Sequence, residues 1–395
     1  MMPTVASLFS GGGLADVGYQ AAGFTPIAAV EFKADIAAVY ARNLGDHIQV
    51  ADVRSVDWSA FPVPDLLHAS PVCTNVSVAN QRAGETELDI ECARAAAAAV
   101  ETLRPNWFCL ENVMQYRPTQ SYRLIVAALE RCGYCYQSET INAAAFGVPQ
   151  TRKRLILRAS RVGHVRPMEP THRDPKTITP QMGLFGDLPP WRGWYQAIED
   201  LLPGLEECSL AKWQLERVPA EIREALLVGN GNCWGDGINI RTAPDPSFTL
   251  TGECCDNQVT KAVLLDCKNG ARDEERGGPT LKTGADPCFT IGADNVGSHC
   301  PTALLVGNGR ATADGTILTN TGDPSPTLTA RSHEQGTRSI IGTRVVRLSA
   351  RCLARFQSVP DWYVLPDNKR LASTIIGNGV CCLLAQRIGE SFLRS

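Results

Sequence analysis

The sequence predicts an α/β chain: a mostly parallel sheet covered by helices, built by residues 1–161 and by the tail from 344, with a smaller, mostly-β lobe over 162–343. Three observations carry this. Short apolar runs alternate with amphipathic stretches as far as Ala159, the pattern of strands joined by crossover helices. The character changes after Arg161 to a stretch rich in Pro, Arg and His. Beyond it, strand and turn signals recur at a near-constant pitch.

In the first segment, Thr4–Phe9 reads as a buried strand ending in a glycine turn, followed by a helix over Leu14–Ala22. Strands follow at Ile27–Glu31, Ile48–Asp52, Asp65–Ala69, Trp107–Glu111 and Arg154–Ala159, with helices at Ala34–Asn43, Cys92–Leu103 and Tyr122–Arg131. Residues 162–192 read as a linker, and helical patterns follow around Tyr195–Leu202 and Ala220–Leu227. Leu226-Leu-Val-Gly-Asn-Gly231 recurs as Leu304-Leu-Val-Gly-Asn-Gly309, with a looser copy at Leu264–Gly270. Each copy precedes an Asp-Pro turn and a Thr-rich strand, at Asp245, Asp286 and Asp323, so each unit reads as strand, turn, strand. From Val345 the chain returns to α/β character, with helices over Ser349–Phe356 and Cys381–Leu393.

A chain of 395 residues exceeds one ordinary core and suits two lobes. Its 44% hydrophobic and 20% charged content is that of a soluble globular protein. No membrane span is expected, because no apolar run reaches the ~18 residues required, and the N-terminus lacks a signal-peptide pattern. The 15 cysteines are an odd number in a chain large enough to fold without staples, so reduced thiols and a cytoplasmic setting are expected. No metal site is expected, since Cys132-Gly-Tyr-Cys135 has no second CxxC pair. Net charge is −3; the middle segment carries 16 basic and 23 acidic side chains, the tail from 344 carries 8 and 3. Any nucleic-acid contact must therefore come from local basic patches.

Several residues at strand ends carry chemistry. Phe9-Ser10-Gly11-Gly12-Gly13 is a strand-to-helix turn whose glycines let backbone approach a ligand. Glu31 ends the next strand and Asp52 the third. A carboxylate at the first position can bind ribose hydroxyls, and one at the second can accept from an adenine amino group; solvated helix caps are the plain alternative. The glycine spacing does not fit the G-x-G-x-x-G of a nicotinamide dehydrogenase. Ser70-Pro-Val-Cys73 lies just past the fourth strand, where a thiolate can serve as a nucleophile. Glu111 ends a further strand and can protonate a ring nitrogen, and Gln150-Thr-Arg152-Lys-Arg154 opens the last strand with basic residues at alternate positions.

Together these pieces resemble the C5-cytosine DNA methyltransferase family. The likeness runs in motif order over residues 1–160 and 344–390: Phe9-x-Gly11-x-Gly13, Pro71-Val-Cys73, Glu111-Asn-Val113, Gln150-x-Arg152-x-Arg154, Arg347–Pro360 and Gly377-Asn378-Gly-Val380. It departs at Leu14, Val72, Thr74 and Ile375, where the family usually has Gly, Pro, Gln and Gln. The resemblance implies a Rossmann-like S-adenosylmethionine-dependent methyltransferase domain plus a target recognition domain over 162–343. The implied reaction moves a methyl group from S-adenosylmethionine to C5 of a flipped cytosine in a specific duplex sequence. Cys73 would attack C6, Glu111 would protonate N3, Arg154 would contact O2 and Arg152 would orient the site. The cofactor would be held by Phe9, Ser10, Gly11, Gly12, Gly13, Glu31, Phe32, Asp52, Val53, Pro71, Asn378 and Val380. Within the middle lobe, Arg331, His333 and Arg338, then Lys268, Arg272 and Arg276, are the residues expected to contact DNA. The implied partner is double-stranded DNA, met by a monomer encoded by a bacterium or phage. A cognate restriction endonuclease would act without forming a stable complex with it.

Overall fold

The computed structural model describes residues 2–71, 84–174, 188–208, 226–228, 240–242, 245–247, 261–267 and 341–394. These fall into two compact units: the described residues up to Trp191 and from Leu353 form one, and those between Arg192 and Cys352 the other.

The first unit is built on β1 (Thr4–Leu8), β2 (Thr25–Glu31), β3 (Ile48–Val50), β4 (Leu66–Ala69), β5 (Trp107–Asn112), β6 (Cys135–Asn142) and β7 (Lys153–Ser160). The strands lie in the order β3-β2-β1-β4-β5-β7-β6. The first five are parallel, and β7 runs antiparallel to both β5 and β6. This is the expected mostly parallel sheet. Alternate residues along each strand enter different cores. Ala6, Leu8, Leu67, Phe108, Leu110, Leu155 and Leu157 pack on one side; Val5, Leu66, Cys109 and Ile156 pack on the other. A strand apolar on both faces is one covered by helices on both faces.

Helices α1 (Leu14–Ala21), α2 (Ala34–Leu44), α3 (Glu87–Leu103) and α4 (Gln120–Arg131) connect these strands. The start of α3 is fixed by a capping box, in which Thr86 N donates to Asp89 Oδ2 at 2.8 Å and Asp89 N to Thr86 Oγ1 at 3.4 Å. Its alanine-rich face, with Cys92, Val100 and Leu103, is buried in the same core as Ile125 and Leu129 of α4. From the C-terminal tail come α6 (Ala350–Phe356), α7 (Lys369–Asn378) and α8 (Cys382–Leu393), numbered after the short α5 (Trp194–Ile198). On α8, Leu384, Ala385, Ile388 and Phe392 complete the second core. A Cβ on Gly18 would stand 2.2 Å from the Cys382 carbonyl, so only glycine lets α1 approach α8 this closely. Residues 369–393 have the length and apolarity of a membrane span, but they form two helices meeting near Gly379, with the apolar side of α8 in the core.

Several elements differ from the sequence expectation. Strand β6 was not expected: its residues Cys-Tyr-Gln-Ser-Glu-Thr-Ile-Asn lack an apolar run, because it is the edge strand and mostly half-buried or exposed. Helix α7 was also not expected; Asn368 caps it, its Oδ1 accepting from Leu371 N at 3.1 Å. The third strand stops at Val50, and Asp52 caps a single 3-10 turn over Val53–Ser55. Residues 171 and 172, within the stretch read as a linker, belong to the first unit, their N–H groups donating to Ala145 O at 2.9 and 3.0 Å.

The second unit contains β8 (Leu226–Val228), β9 (Ile240–Thr242), β10 (Lys261–Cys267) and β11 (Ile341–Arg347) in the antiparallel order β11-β10-β8-β9. Leu226 and Leu227, read both as the end of a helix and as the first strand of the repeat, form the strand, paired with Val263 and Ala262. The helical pattern around Tyr195 resolves into α5 and a 3-10 turn over Glu199–Gly204 that contains Pro203, whose ring cannot continue a helix.

Candidate active site

The loop after β1 leads directly into α1 and is conformationally unusual. Phe9, Gly11 and Gly13 all have positive φ, at 57°, 55° and 84°. Ser10 N donates to Val30 O and Gly13 N to Ser10 O, both at 3.0 Å. Glu31, at the end of β2, closes the loop from the side: its Oε2 accepts from Gly11 N at 3.0 Å and its Oε1 from Lys33 N at 2.9 Å. The three glycines serve different ends. A Cβ on Gly12 would come within 2.5 Å of Ile375, and one on Gly13 within 2.4 Å of Leu44. Those two are required by protein packing. Of the three, Gly11 alone has no described residue within 4 Å of a Cβ. Ser10 Oγ is buried and has no hydrogen-bond partner among the described residues. Next to Glu31, Phe32 is 69% exposed. Asp52 is engaged by Arg54, with Nη2 at 2.6 Å, and that guanidinium holds its carboxyl below the usual range. Val53 beside it is buried.

Sequence reasoning missed Asp16, which lies under this loop. It is fully buried, accepts from Ser7 Oγ, and accepts from Tyr40 OH at 2.7 Å. Burial pushes its carboxyl up to about 6 from the ordinary 3.8, with the Ser7 and Tyr40 hydroxyls pulling the other way. The folded value lies above the unfolded one, so the charged form costs stability at pH 7. That cost fades as pH falls through about 6 towards 3.8. At ~1.4 kcal/mol per pH unit, Asp16→Asn is expected to raise the unfolding free energy by about 2–3 kcal/mol at pH 7 and to give no advantage at pH 4. Urea titrations at the two pH values check this, and an equal gain at both would contradict it.

The centre of the site is Glu111, at the end of β5 and only 4% exposed. Ser70 Oγ donates to its Oε2 at 2.8 Å, and Arg154 Nε lies 3.0 Å from its Oε1. The sheet register explains the pairing. Glu111 stands opposite Ile156, and Arg154 is two residues back along β7, on the same face. Beside it, Asn112 Nδ2 donates to Pro71 O at 3.0 Å, tying the chain after β4 to β5. Neither Ser70 nor the contact of Asn112 was singled out from sequence; both depend on β4 and β5 being neighbours.

Arg152 is 2% exposed, and its Nη2 donates to Gly377 O at 3.0 Å and Gly379 O at 3.1 Å. It braces the turn that carries Asn378, which is exposed, and Val380, which is buried. Gln357 braces the same turn: Nε2 donates to Ile376 O, and Oε1 accepts from Cys381 Sγ at 3.2 Å. The structure thus brings Glu111 and Arg154 together and sets Arg152 on the turn after α7. Cys73 lies outside the described residues, as do Lys268, Arg272, Arg276, Arg331, His333 and Arg338.

The model of the C-5 cytosine-specific DNA methylase family matches residues 3–208 and 290–394. The chain is 30% identical over 237 residues to Type II methyltransferase M.AquIA of Picosynechococcus sp., covering 53% of this chain and 94% of that protein. It is 29% identical over 181 residues to Type II methyltransferase M.NgoFVII of Neisseria gonorrhoeae, covering 44% of this chain but only 48% of that one. The S. pombe Dnmt2 methyltransferase structure has the same fold, with a TM-score of 0.55 at 12% identity over 99% of this chain and 98% of that one. The family model covers well over half of the chain: the chain belongs to the C-5 cytosine-specific DNA methylase family and is a DNA cytosine methyltransferase.

Proposed function

We propose that this chain methylates C5 of a cytosine flipped out of a specific duplex DNA sequence, through a covalent adduct with Cys73. The observation that carries the reading is Glu111: a buried carboxylate fixed by Ser70 and Arg154, beside the strand end from which the chain continues to Cys73. Methyltransferases of this kind generally use S-adenosylmethionine, which when bound supplies a methyl group on a sulfonium. The residues present fit it. Gly11 offers open backbone, Ser10 Oγ is a buried hydroxyl with no described partner, and Glu31 ends the strand beside the loop. Phe9, Ser10, Gly11, Gly12, Gly13, Glu31, Phe32, Asp52, Val53, Pro71, Asn378 and Val380 form the proposed cofactor site.

C5 of cytosine is a weak nucleophile. Addition of the Cys73 thiolate at C6, with a proton delivered to N3 by Glu111 once its carboxylate has taken one up from solvent, moves electron density onto C5. C5 would then take the methyl carbon, the electron pair of the methyl–sulfur bond leaving with the donor as a neutral thioether. Loss of the C5 proton to a base expels Cys73 from C6, restores the aromatic ring and returns the N3 proton to Glu111. Arg154 would hold O2 of the base while remaining paired with Glu111, and Arg152 would keep the Asn378 turn in place. Reaching C6 requires the base to leave the stack.

Residues 162–343 are the proposed target recognition domain, with Lys268, Arg272, Arg276, Arg331, His333 and Arg338 as its DNA contacts. The protein would work as a cytoplasmic monomer, and a cognate endonuclease would share its site without a stable complex. Incubation with isotopically labelled S-adenosylmethionine and DNA, followed by digestion and nucleoside mass spectrometry, tests the reading. The expected product is labelled 5-methyl-2′-deoxycytidine. Label on an exocyclic nitrogen, or only in RNA offered in parallel, would overturn it.

A further inference from the structure

The loop from Phe9 to Gly13 packs three positive-φ residues into five, one of them the non-glycine Phe9. Such a conformation is costly and persists only where surrounding structure imposes it. Its peptide groups are pinned in turn: Ser10 N to Val30 O, Gly11 N to Glu31 Oε2, and Gly13 N to Ser10 O. The remaining pin comes from 351 residues further along the chain, where the Tyr363 hydroxyl donates to Gly12 O at 2.5 Å. The carbonyl of Gly12 and the N–H of Gly13 belong to one peptide plane, so Tyr363 and Ser10 together fix that plane at both its polar ends. Rotation of the plane would break both bonds and drive the Gly12 carbonyl away from a fully buried hydroxyl.

Tyr363 is itself firmly mounted. Its N–H donates to Pro360 O at 3.1 Å. Val364 N donates to Asn43 Oδ1 at 2.7 Å, and Asn43 Nδ2 donates back to Val364 O at 3.1 Å. Asn43 lies on α2, the helix that follows the Glu31 strand. The tyrosine is therefore referenced to the same β2–α2 segment that carries the carboxylate closing the other side of the loop.

We propose that Tyr363 is a positioning residue for the methyl-donor site, setting the Gly12–Gly13 peptide so that the open face of Gly11 and the Ser10 hydroxyl are presented to the cofactor. This rests on the reading of Phe9–Gly13 as the cofactor loop. Tyr363→Phe removes only the hydroxyl. In the full chain, calorimetry is expected to show S-adenosylmethionine binding weakened by about tenfold, the effect of one buried hydrogen bond. The KM for the donor should rise in step, while kcat at saturating donor and the KM for DNA stay within about twofold. Should Tyr363→Phe not fold, Asn43→Ala loosens the mount without touching the loop and should weaken donor binding in the same direction by a smaller factor. Donor affinity unchanged in the folded variant, or a loss shared equally by kcat, would overturn the proposal. Wild-type protein that fails to bind S-adenosylmethionine would instead overturn the cofactor reading on which it stands.

Discussion

Glu111→Gln is expected to lower kcat by about three orders of magnitude, the middle of the range for a positioned proton donor. Glutamine keeps the shape and can still accept from Ser70 Oγ, but it has no carboxyl proton to give. The change also removes the charge paired with Arg154, which is only 14% exposed at its side chain. A loss of about 1–3 kcal/mol in unfolding free energy should accompany the kinetic effect, the cost of a half-buried guanidinium left without its partner. Single-turnover kinetics at saturating donor and DNA separate the chemical step from binding. A fall of less than about tenfold in that step would take Glu111 out of the role of acid. Donor binding should be nearly unchanged, because the carboxylate faces Ser70 and Arg154 rather than the loop after β1.

Arg152→Met should have the largest effect on stability. The guanidinium is buried and spans from the start of β7 to two carbonyls after residue 376. Methionine fills much of the volume but leaves Gly377 O and Gly379 O without that donor. Hydrogen bonds from a charged donor contribute about 1.5–3 kcal/mol each, so a loss of about 3–5 kcal/mol is expected in urea unfolding. The turn that carries Asn378 should loosen with it and weaken donor binding, measured calorimetrically in whatever fraction stays folded. A loss below about 1 kcal/mol with normal donor affinity would mean the turn is held by Gln357 alone.

The parts of this architecture that were legible in the sequence are those specified locally. The Phe9–Gly13 turn, the helix over Ala34–Leu44 and the apolar strands at the sheet centre follow from periodicity and glycine placement. Edge strand β6 was not legible because a strand with little burial needs no apolar run. Helix α7 was missed because Thr374, Ile375 and Ile376 are β-formers and Gly377 is a helix breaker; its burial through Ala372, Ile375 and Ile376 outweighs that preference. The contacts of Ser70, Arg152 and Tyr363 were hidden for a different reason. Each acts on a residue between 41 and 351 positions away, and nothing local records a partner that only strand order and the returning tail bring near. Gly12 and Gly13 show the converse: the motif was visible, but the neighbours that require it, Ile375 and Leu44, were not.

The central claim is that Cys73 forms a bond to C6 of a DNA cytosine while Glu111 serves as its acid. Duplex DNA carrying 5-fluorocytosine tests it most directly, because fluorine cannot leave C5 as a cation and the adduct is trapped. Incubation with S-adenosylmethionine followed by denaturing gel electrophoresis should give a shifted protein–DNA band that needs the donor, is absent in Cys73→Ser and forms slowly in Glu111→Gln. A protein that binds donor and methylates unmodified DNA, yet gives no such band or gives the same band in Cys73→Ser, would contradict the account.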